Sequence, residues 1–135
     1  MLVIIQARMN SNRLPGKVLR ELYGKPILGW AINRVRSASQ IKRIIIATSD
    51  HESDDPIEDY CTSIGEVCYR GSLNNVANRF SEILKTEKAE AFVRISGDSP
   101  LIDPEIVDYA TALYQHTNCD LVTNIMMRTF PKGQS

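Results

Sequence analysis

Three cations fall within ten residues in Arg8-Met9-Asn10-Ser11-Asn12-Arg13-Leu14-Pro15-Gly16-Lys17. An arginine fork can grip two phosphate oxygens at once, and a lysine adds a mobile point charge. Ser11 and Asn12 add hydrogen-bond donors, Gly16 lets the backbone approach a ligand closely, and Pro15 stiffens the chain beside it. A loop of this composition can cradle a triphosphate. It can equally be a solvated basic loop at a sheet edge. It is not a Walker loop, because Ser11 stands where the first glycine would be, and no G-x-G-x-x-G occurs anywhere in the chain.

A second candidate is Ser96-Gly97-Asp98-Ser99-Pro100-Leu101-Ile102-Asp103. A carboxylate leaving a strand can hold Mg²⁺, which takes one or two carboxylates and fills its other positions with phosphate oxygens and water. Asp98 is that carboxylate. It would serve as well as a turn residue that hydrogen-bonds its own loop. Asp103 precedes Pro104 and reads as a helix cap.

Other chemistries find little support. His51 and His116 are far apart, and Cys61, Cys68 and Cys119 are odd in number with no C-x-x-C pair, so zinc is not indicated. The cysteines read as small buried hydrophobes in a reducing compartment. No G-x-S-x-G turn is present for acyl transfer. Trp30 reads as core packing that could border a pocket. Asp50-His51-Glu52-Ser53-Asp54-Asp55 reads as a solvated acidic loop.

The chain has 135 residues, one domain's worth, with 43% hydrophobic and 24% charged residues. That composition excludes a disordered tail or a collagen-like rod. No apolar run approaches the ~20 residues of a membrane span, and the apolar first residues lack a preceding basic segment, so a cytoplasmic chain is expected. The net charge is zero, yet residues 1–43 carry nine Lys/Arg against Glu21 alone, and residues 44–135 carry seven against fifteen acids. The asymmetry suggests an anionic partner for the first third. A nucleic-acid binder would show a larger basic excess, so a small polyanion fits better.

The elements that must position these loops follow from hydrophobic patterning. Leu2-Val3-Ile4-Ile5 and Ile44-Ile45-Ile46-Ala47-Thr48 are continuous apolar runs, read as strands buried on both faces of a parallel sheet. Val67-Cys68-Tyr69, Ala91-Phe92-Val93-Arg94-Ile95 and Leu121-Val122-Thr123 are weaker versions. Helices are expected after Pro26 (Ile27, Leu28, Ala31, Val35), and from an Asp55 cap with Pro56 at the first position to Gly65. Two more are expected from Asn74 or Asn75 (Val76, Phe80, Ile83, Leu84) and after Asp103-Pro104, with Ile106, Ala110 and Leu113 inward. The alternation predicts a three-layer, Rossmann-like α/β sandwich with a mostly parallel sheet, in one domain spanning 1–135 without repeat or linker. Such sheets bind ligands beyond the carboxyl ends of their strands, so the loops after the first and fourth strands are the places to look.

Ile5-Gln6-Ala7-Arg8-Met9-x-Ser11-x-Arg13-Leu14-Pro15-Gly16-Lys17 followed by Gly24-Lys25-Pro26 resembles the sugar cytidylyltransferases. These include the synthetases that activate sialic acid and 3-deoxy-manno-octulosonate with CTP; the likeness is strongest to the branch called spore coat polysaccharide biosynthesis protein F. Further matches are Ile46-Ala47-Thr48-Ser49, Tyr69-Arg70-Gly71-Ser72, Arg94–Asp103 and Arg128-Thr129-Phe130-Pro131. The resemblance implies a nucleotide-diphospho-sugar transferase type of fold and transfer of CMP from CTP to a sugar or sugar acid for surface or spore-coat polysaccharide. It implies nucleotide contacts at Ala7, Arg8, Ser11, Arg13 and Lys17, with Arg8, Arg13 and Lys17 as the cations on the phosphates. Arg70 would lie near the cytosine and Arg79 would point at the same pocket. Asp98 would bind Mg²⁺. Family members continue past the Arg-Thr-Phe-Pro motif with a second metal-binding Asp, sugar contacts and a dimerisation arm, so a nucleotide-binding half is expected here, with a homodimer allowed. A nucleotide-binding module without catalysis is the alternative.

Overall fold

The structure is a computed structural model and describes residues 1–11 and 13–125. Four parallel strands form the main sheet: β1 (Leu2–Gln6), β4 (Arg43–Ser49), β5 (Cys68–Gly71) and β6 (Phe92–Ser96), in the order β5-β4-β1-β6. Between β1 and β4 lies a two-stranded antiparallel ribbon, β2 (Glu21–Leu22) and β3 (Lys25–Pro26). The helices are α1 (Ile27–Arg36), α2 (Asp55–Ser63), α3 (Val76–Glu87) and α4 (Pro104–His116).

The chain leaves β1 toward β4 and β5, then returns across the sheet to β6. Right-handed crossovers in opposite directions must lie on opposite faces. Accordingly, Val3, Ile5, Ala7 and Ile46 pack against residues of α1, α2 and α4, including Leu28, Ile32, Ile57 and Val107. Leu2, Ile4, Ile45 and Ala47 pack against α3 through Ile83, Phe80 and Leu84. Leu2 through Ile5 are thus buried on both faces, which explains their unbroken apolar run. Three layers result, as the sequence pattern predicts.

The helix ends follow local chemistry. Asn75 is the α3 cap, its side chain accepting from the Asn78 N–H at 2.9 Å, and Asp103 caps α4 through the Glu105 N–H at 3.0 Å with Pro104 behind it. At α2 the expectation fails by one position. Asp54, not Asp55, occupies the cap, and its side chain makes no capping bond because it is turned inward.

Two other expectations are corrected. Leu121–Thr123 is not a strand; Leu121 is 75% exposed, and among the described residues no chain pairs with the outer edge of β6. A three-residue run without a neighbouring strand has no ladder to hold it. On α4, Val107 and Thr111 are buried, whereas Ile106 and Ala110 are half-buried and Leu113 is 39% exposed. The rotation is set by Asp108, whose carboxylate accepts the N–H groups of Ser39 and Gln40 at 2.8 Å each and so fixes the adjoining Val107 inward. The β2–β3 ribbon has no counterpart in the sequence pattern, since two-residue strands show no periodicity. Its turn residues Tyr23 (φ 51°) and Gly24 (φ 73°) both have left-handed backbone, as a tight hairpin turn needs. Trp30 is its clamp: the indole N–H donates to the Leu22 carbonyl at 2.7 Å, and Lys25 Nζ lies 4.9 Å from the ring centre.

Candidate nucleotide site

The strand order reverses between β1 and β6, and in such sheets the loops leaving these neighbours flank the crevice where ligands bind, at the strands' carboxyl ends. Gln6 is in register with Ser96, and the Gly97 N–H continues the ladder to the Gln6 carbonyl at 2.8 Å. A Cβ at Gly97 would lie 3.0 Å from Ala7 Cβ, 3.1 Å from the Gln6 carbonyl oxygen and 3.2 Å from Leu28 Cδ1. Glycine is needed there for close approach of the two loops.

The first loop is pinched at Met9, whose carbonyl accepts the N–H groups of Ser11 at 3.0 Å and Gly16 at 2.8 Å. Gly16 has φ 70°, and its missing Cβ would make only ordinary contact with Met9 Cε at 3.4 Å. Its role is backbone conformation at the loop's end, not room for a ligand. A 3₁₀ turn at Lys17–Leu19 follows, anchored by buried Val18. Lys17 then reaches across the crevice and pairs with Asp98, each side chain about one-third exposed. Ser96 Oγ donates to the other Asp98 oxygen. Burial acts to raise the Asp98 carboxyl, but hydrogen bonds from Lys17 and Ser96 and the lysine's charge outweigh it. They hold the group below the usual carboxylate range.

Arg8 and Arg13 are exposed and make no hydrogen bond or ion pair among the described residues. Ala7 is buried and joins the core, its N–H donating to the Ala47 carbonyl at 3.1 Å. Arg79, on the first turn of α3, is 3% exposed, with its stem against Gly71. Its Nε is buried without a hydrogen-bond partner among the described residues. Burial pushes the Arg79 guanidinium down from its ordinary value; Asp54 and Asp50 pull it back, and Arg8 opposes them as a like charge. Two cations near one another, one of them buried with an empty donor, form an arrangement that an anion would complete.

Arg70 stands apart from the loop. It ends β5, two strands from β1, roughly 10 Å at ordinary strand spacing. Its Nε donates to the Ser49 carbonyl at 3.0 Å and Nη2 to the His51 carbonyl at 2.9 Å. Glu58 at 2.8 Å and Asp55 at 2.6 Å complete its shell. The guanidinium is a staple between β5 and the start of α2.

One residue that matters escaped the sequence reading. Asp54, in the stretch read as a solvated acidic loop, is 1% exposed. It accepts the Met9 N–H at 2.7 Å, the Ser49 N–H at 3.2 Å and the Ser49 hydroxyl. Burial works to raise this carboxyl, and those donors more than offset it, so it too is held low. The other residues of that stretch are exposed or half-buried, and nothing in six consecutive polar residues marks which one turns inward.

Among the described residues no three His, Cys, Asp or Glu side chains converge on one point. A cation needing several protein ligands does not fit. Mg²⁺ does, because one carboxylate suffices when phosphate oxygens and water supply the remainder.

Residues 2–130 match the family model described as cytidylyltransferase. The spore coat polysaccharide biosynthesis protein SpsF of Bacillus subtilis is 42% identical over 111 residues, covering 79% of this chain and 46% of that protein. A 3-deoxy-manno-octulosonate cytidylyltransferase of Pelobacter propionicus is 36% identical over 109 residues, covering 79% of this chain and 41% of that protein. The chain thus spans less than half the length of these two relatives. A solved cytidylyltransferase from Leptospira borgpetersenii superposes with a TM-score of 0.91 at 33% identity, over 98% of this chain and 57% of that one. A CMP:2-keto-3-deoxy-manno-octonic acid synthetase, solved complexed with CTP, superposes at 0.71 with 25% identity, over 84% of this chain and 47% of that one. Matched along nearly its whole length in sequence, and built on the same sheet with its basic loop at the switch point, the chain belongs to the cytidylyltransferase family.

Proposed function

We propose that this chain binds CTP in the crevice between β1 and β6 and takes part in transferring CMP to a sugar or sugar acid for surface or spore-coat polysaccharide. The observation that carries this is a set of uncommitted cations, two on the loop after β1 and one buried on the first turn of α3. Arg8 and Arg13 are free of partners among the described residues, and Arg79 is buried with an unpaired Nε. A cationic ligand would worsen that balance and a neutral one would leave it unchanged, whereas a triphosphate resolves it. The relatives supply the nucleotide and the acceptor class, one of them being a 3-deoxy-manno-octulosonate cytidylyltransferase.

In this reading a sugar hydroxyl attacks the α-phosphorus of CTP and releases its proton to solvent. A new P–O bond forms, the bond to the β-phosphate oxygen breaks, and pyrophosphate leaves with its charge held. Such a step needs positioning and neutralisation more than covalent help from protein. Arg8, Arg13 and Lys17 spread over the triphosphate, with Ala7 and Ser11 lining it, and Arg79 holds an oxygen from below. Arg70, which the family resemblance sets near the cytosine, lies on β5 with its guanidinium held by Asp55 and Glu58, so it would act there by bracing the loops after β4 and β5. Asp98, together with the phosphates, would hold Mg²⁺, which supplies further charge neutralisation at the phosphates. Residues 1–135 act as one nucleotide-binding domain in the cytoplasm, and a homodimer is allowed. No helix among the described residues is long and apolar enough to cross a membrane.

A nucleotide-binding module without turnover is the second reading, favoured by the lack, among the described residues, of any group of three or more metal-binding side chains around Asp98. Pyrophosphate release from CTP and Mg²⁺ with a panel of sugars and sugar acids separates the two. Release that depends on the acceptor supports the transferase. CTP binding with no release for any acceptor supports the module and contradicts the transferase.

A further inference from the structure

β1 and β4 are neighbours in the sheet, so the chain leaves their carboxyl ends side by side. Asp54 fills the space between the two exits. One carboxylate oxygen takes the Met9 N–H at 2.7 Å, and the other takes the Ser49 N–H at 3.2 Å and the Ser49 hydroxyl. The residue stands at the cap position of α2 yet does not cap it. A carboxylate buried to 1% exposure is costly unless its oxygens are met by donors, and here the donors come from the two loops and not from its own helix. Met9 is also the residue whose carbonyl closes the basic loop onto Ser11 and Gly16. Its N–H is therefore held by Asp54 while its C=O holds the loop, with Arg8 immediately before it and Lys17 immediately after the closure.

We propose that Asp54 is a positioning residue for the phosphate-binding loop, fixing the Met9 amide and so the placement of Arg8 and Lys17 over an inorganic or nucleotide polyphosphate. The proposal rests on the nucleotide reading above. Asp54 touches no ligand in this scheme. Its second effect is on Arg79, whose guanidinium feels its charge, so the same carboxylate balances the buried cation and tethers the loop beside it.

The test compares the parent chain with Asp54→Asn and Ser49→Ala. Asn places an amide N–H where the site presents donors, so at least one tether is lost. Ser49→Ala removes one donor and leaves the Met9 contact in place. Affinity for inorganic tripolyphosphate and for CTP is measured by calorimetry, and amide hydrogen exchange is followed at Met9, Gly16 and Ile83. Asp54→Asn is expected to weaken tripolyphosphate and CTP at least tenfold and to speed exchange at Met9 and Gly16, with Ile83 in α3 unchanged. Ser49→Ala is expected to shift the same quantities in the same direction by a few-fold, and decides the matter if Asp54→Asn does not fold. Exchange that rises equally at all three amides would overturn the proposal by showing a role in the whole fold. Unchanged tripolyphosphate affinity in both variants, with a parent that binds, would overturn this proposal alone. A parent that binds neither tripolyphosphate nor CTP would overturn the nucleotide reading and this proposal with it.

Discussion

Replacing Gly97 with alanine probes the junction on which the crevice depends. The new Cβ would stand 3.0 Å from Ala7 Cβ, 3.1 Å from the Gln6 carbonyl oxygen and 3.2 Å from Leu28 Cδ1. Each distance is a few tenths of an ångström tighter than an ordinary contact. None of these neighbours can give readily: Gln6 ends the central strand, Ala7 is 2% exposed and Leu28 is fully buried. Overpacking of this kind costs about 1–3 kcal/mol. A gain of about 0.4–1 kcal/mol from the stiffer unfolded chain offsets part of it. The middles of the two ranges leave a net loss of about 1.3 kcal/mol. At about 2.1 cal/mol/K per residue for 135 residues, that lowers Tm by about 5 °C. The displacement is directed at the Gly97–Gln6 hydrogen bond, so Asp98 moves relative to Lys17 and CTP affinity falls as well. Differential scanning calorimetry with and without CTP reads both effects. An alanine variant with the parent's Tm and the parent's CTP affinity would refute the close-approach reasoning.

Lys17→Ala is expected to weaken CTP by about 1.5–3 kcal/mol, the value of a charge-assisted hydrogen bond, read by calorimetry. Asp98→Asn keeps the size of the side chain and loses its charge; it should remove most of the Mg²⁺ dependence of CTP binding and leave circular dichroism unchanged. The carboxyls of Asp98 and Asp54 are both held low in the folded chain. Their stabilising contribution is therefore complete above the unfolded carboxylate pKa of about 3.9 and is lost as pH falls through the lower folded values. Urea midpoints should accordingly drop on acidification from about pH 5 to pH 3, and less steeply for Asp98→Asn than for the parent. Arg79→Met, close in bulk and uncharged, is expected to weaken tripolyphosphate binding without lowering Tm, because the Nε it removes has no partner to lose.

The sequence was most informative where one physical cause dominated. Continuous burial of Leu2–Ile5 on both faces forces a parallel sheet, and the caps at Asn75 and Asp103 are local hydrogen bonds that residue type alone announces. Legibility ended where tertiary contacts outvoted local pattern. The face of α4 is set by Asp108 bonding the chain at Ser39 and Gln40, more than sixty residues away, which no periodicity within the helix can reveal. Asp54 was hidden among equally polar neighbours, and its burial follows from the side-by-side exits of β1 and β4. Of the site, the pairing of Lys17 with Asp98 could be anticipated only as a shared crevice at a switch point. That the two side chains meet, that Arg79 is buried without an acceptor, and that Arg70 is committed to Asp55 and Glu58 are facts of geometry.

Calorimetric titration of the chain with CTP, UTP, ATP and GTP, each with and without Mg²⁺, bears most directly on the function assigned to the crevice. CTP should bind more tightly than the other three, Mg²⁺ should strengthen it, and Lys17→Ala should weaken it. Equal binding of all four triphosphates, or CTP binding untouched by Lys17→Ala, would contradict a cytidine nucleotide site between β1 and β6.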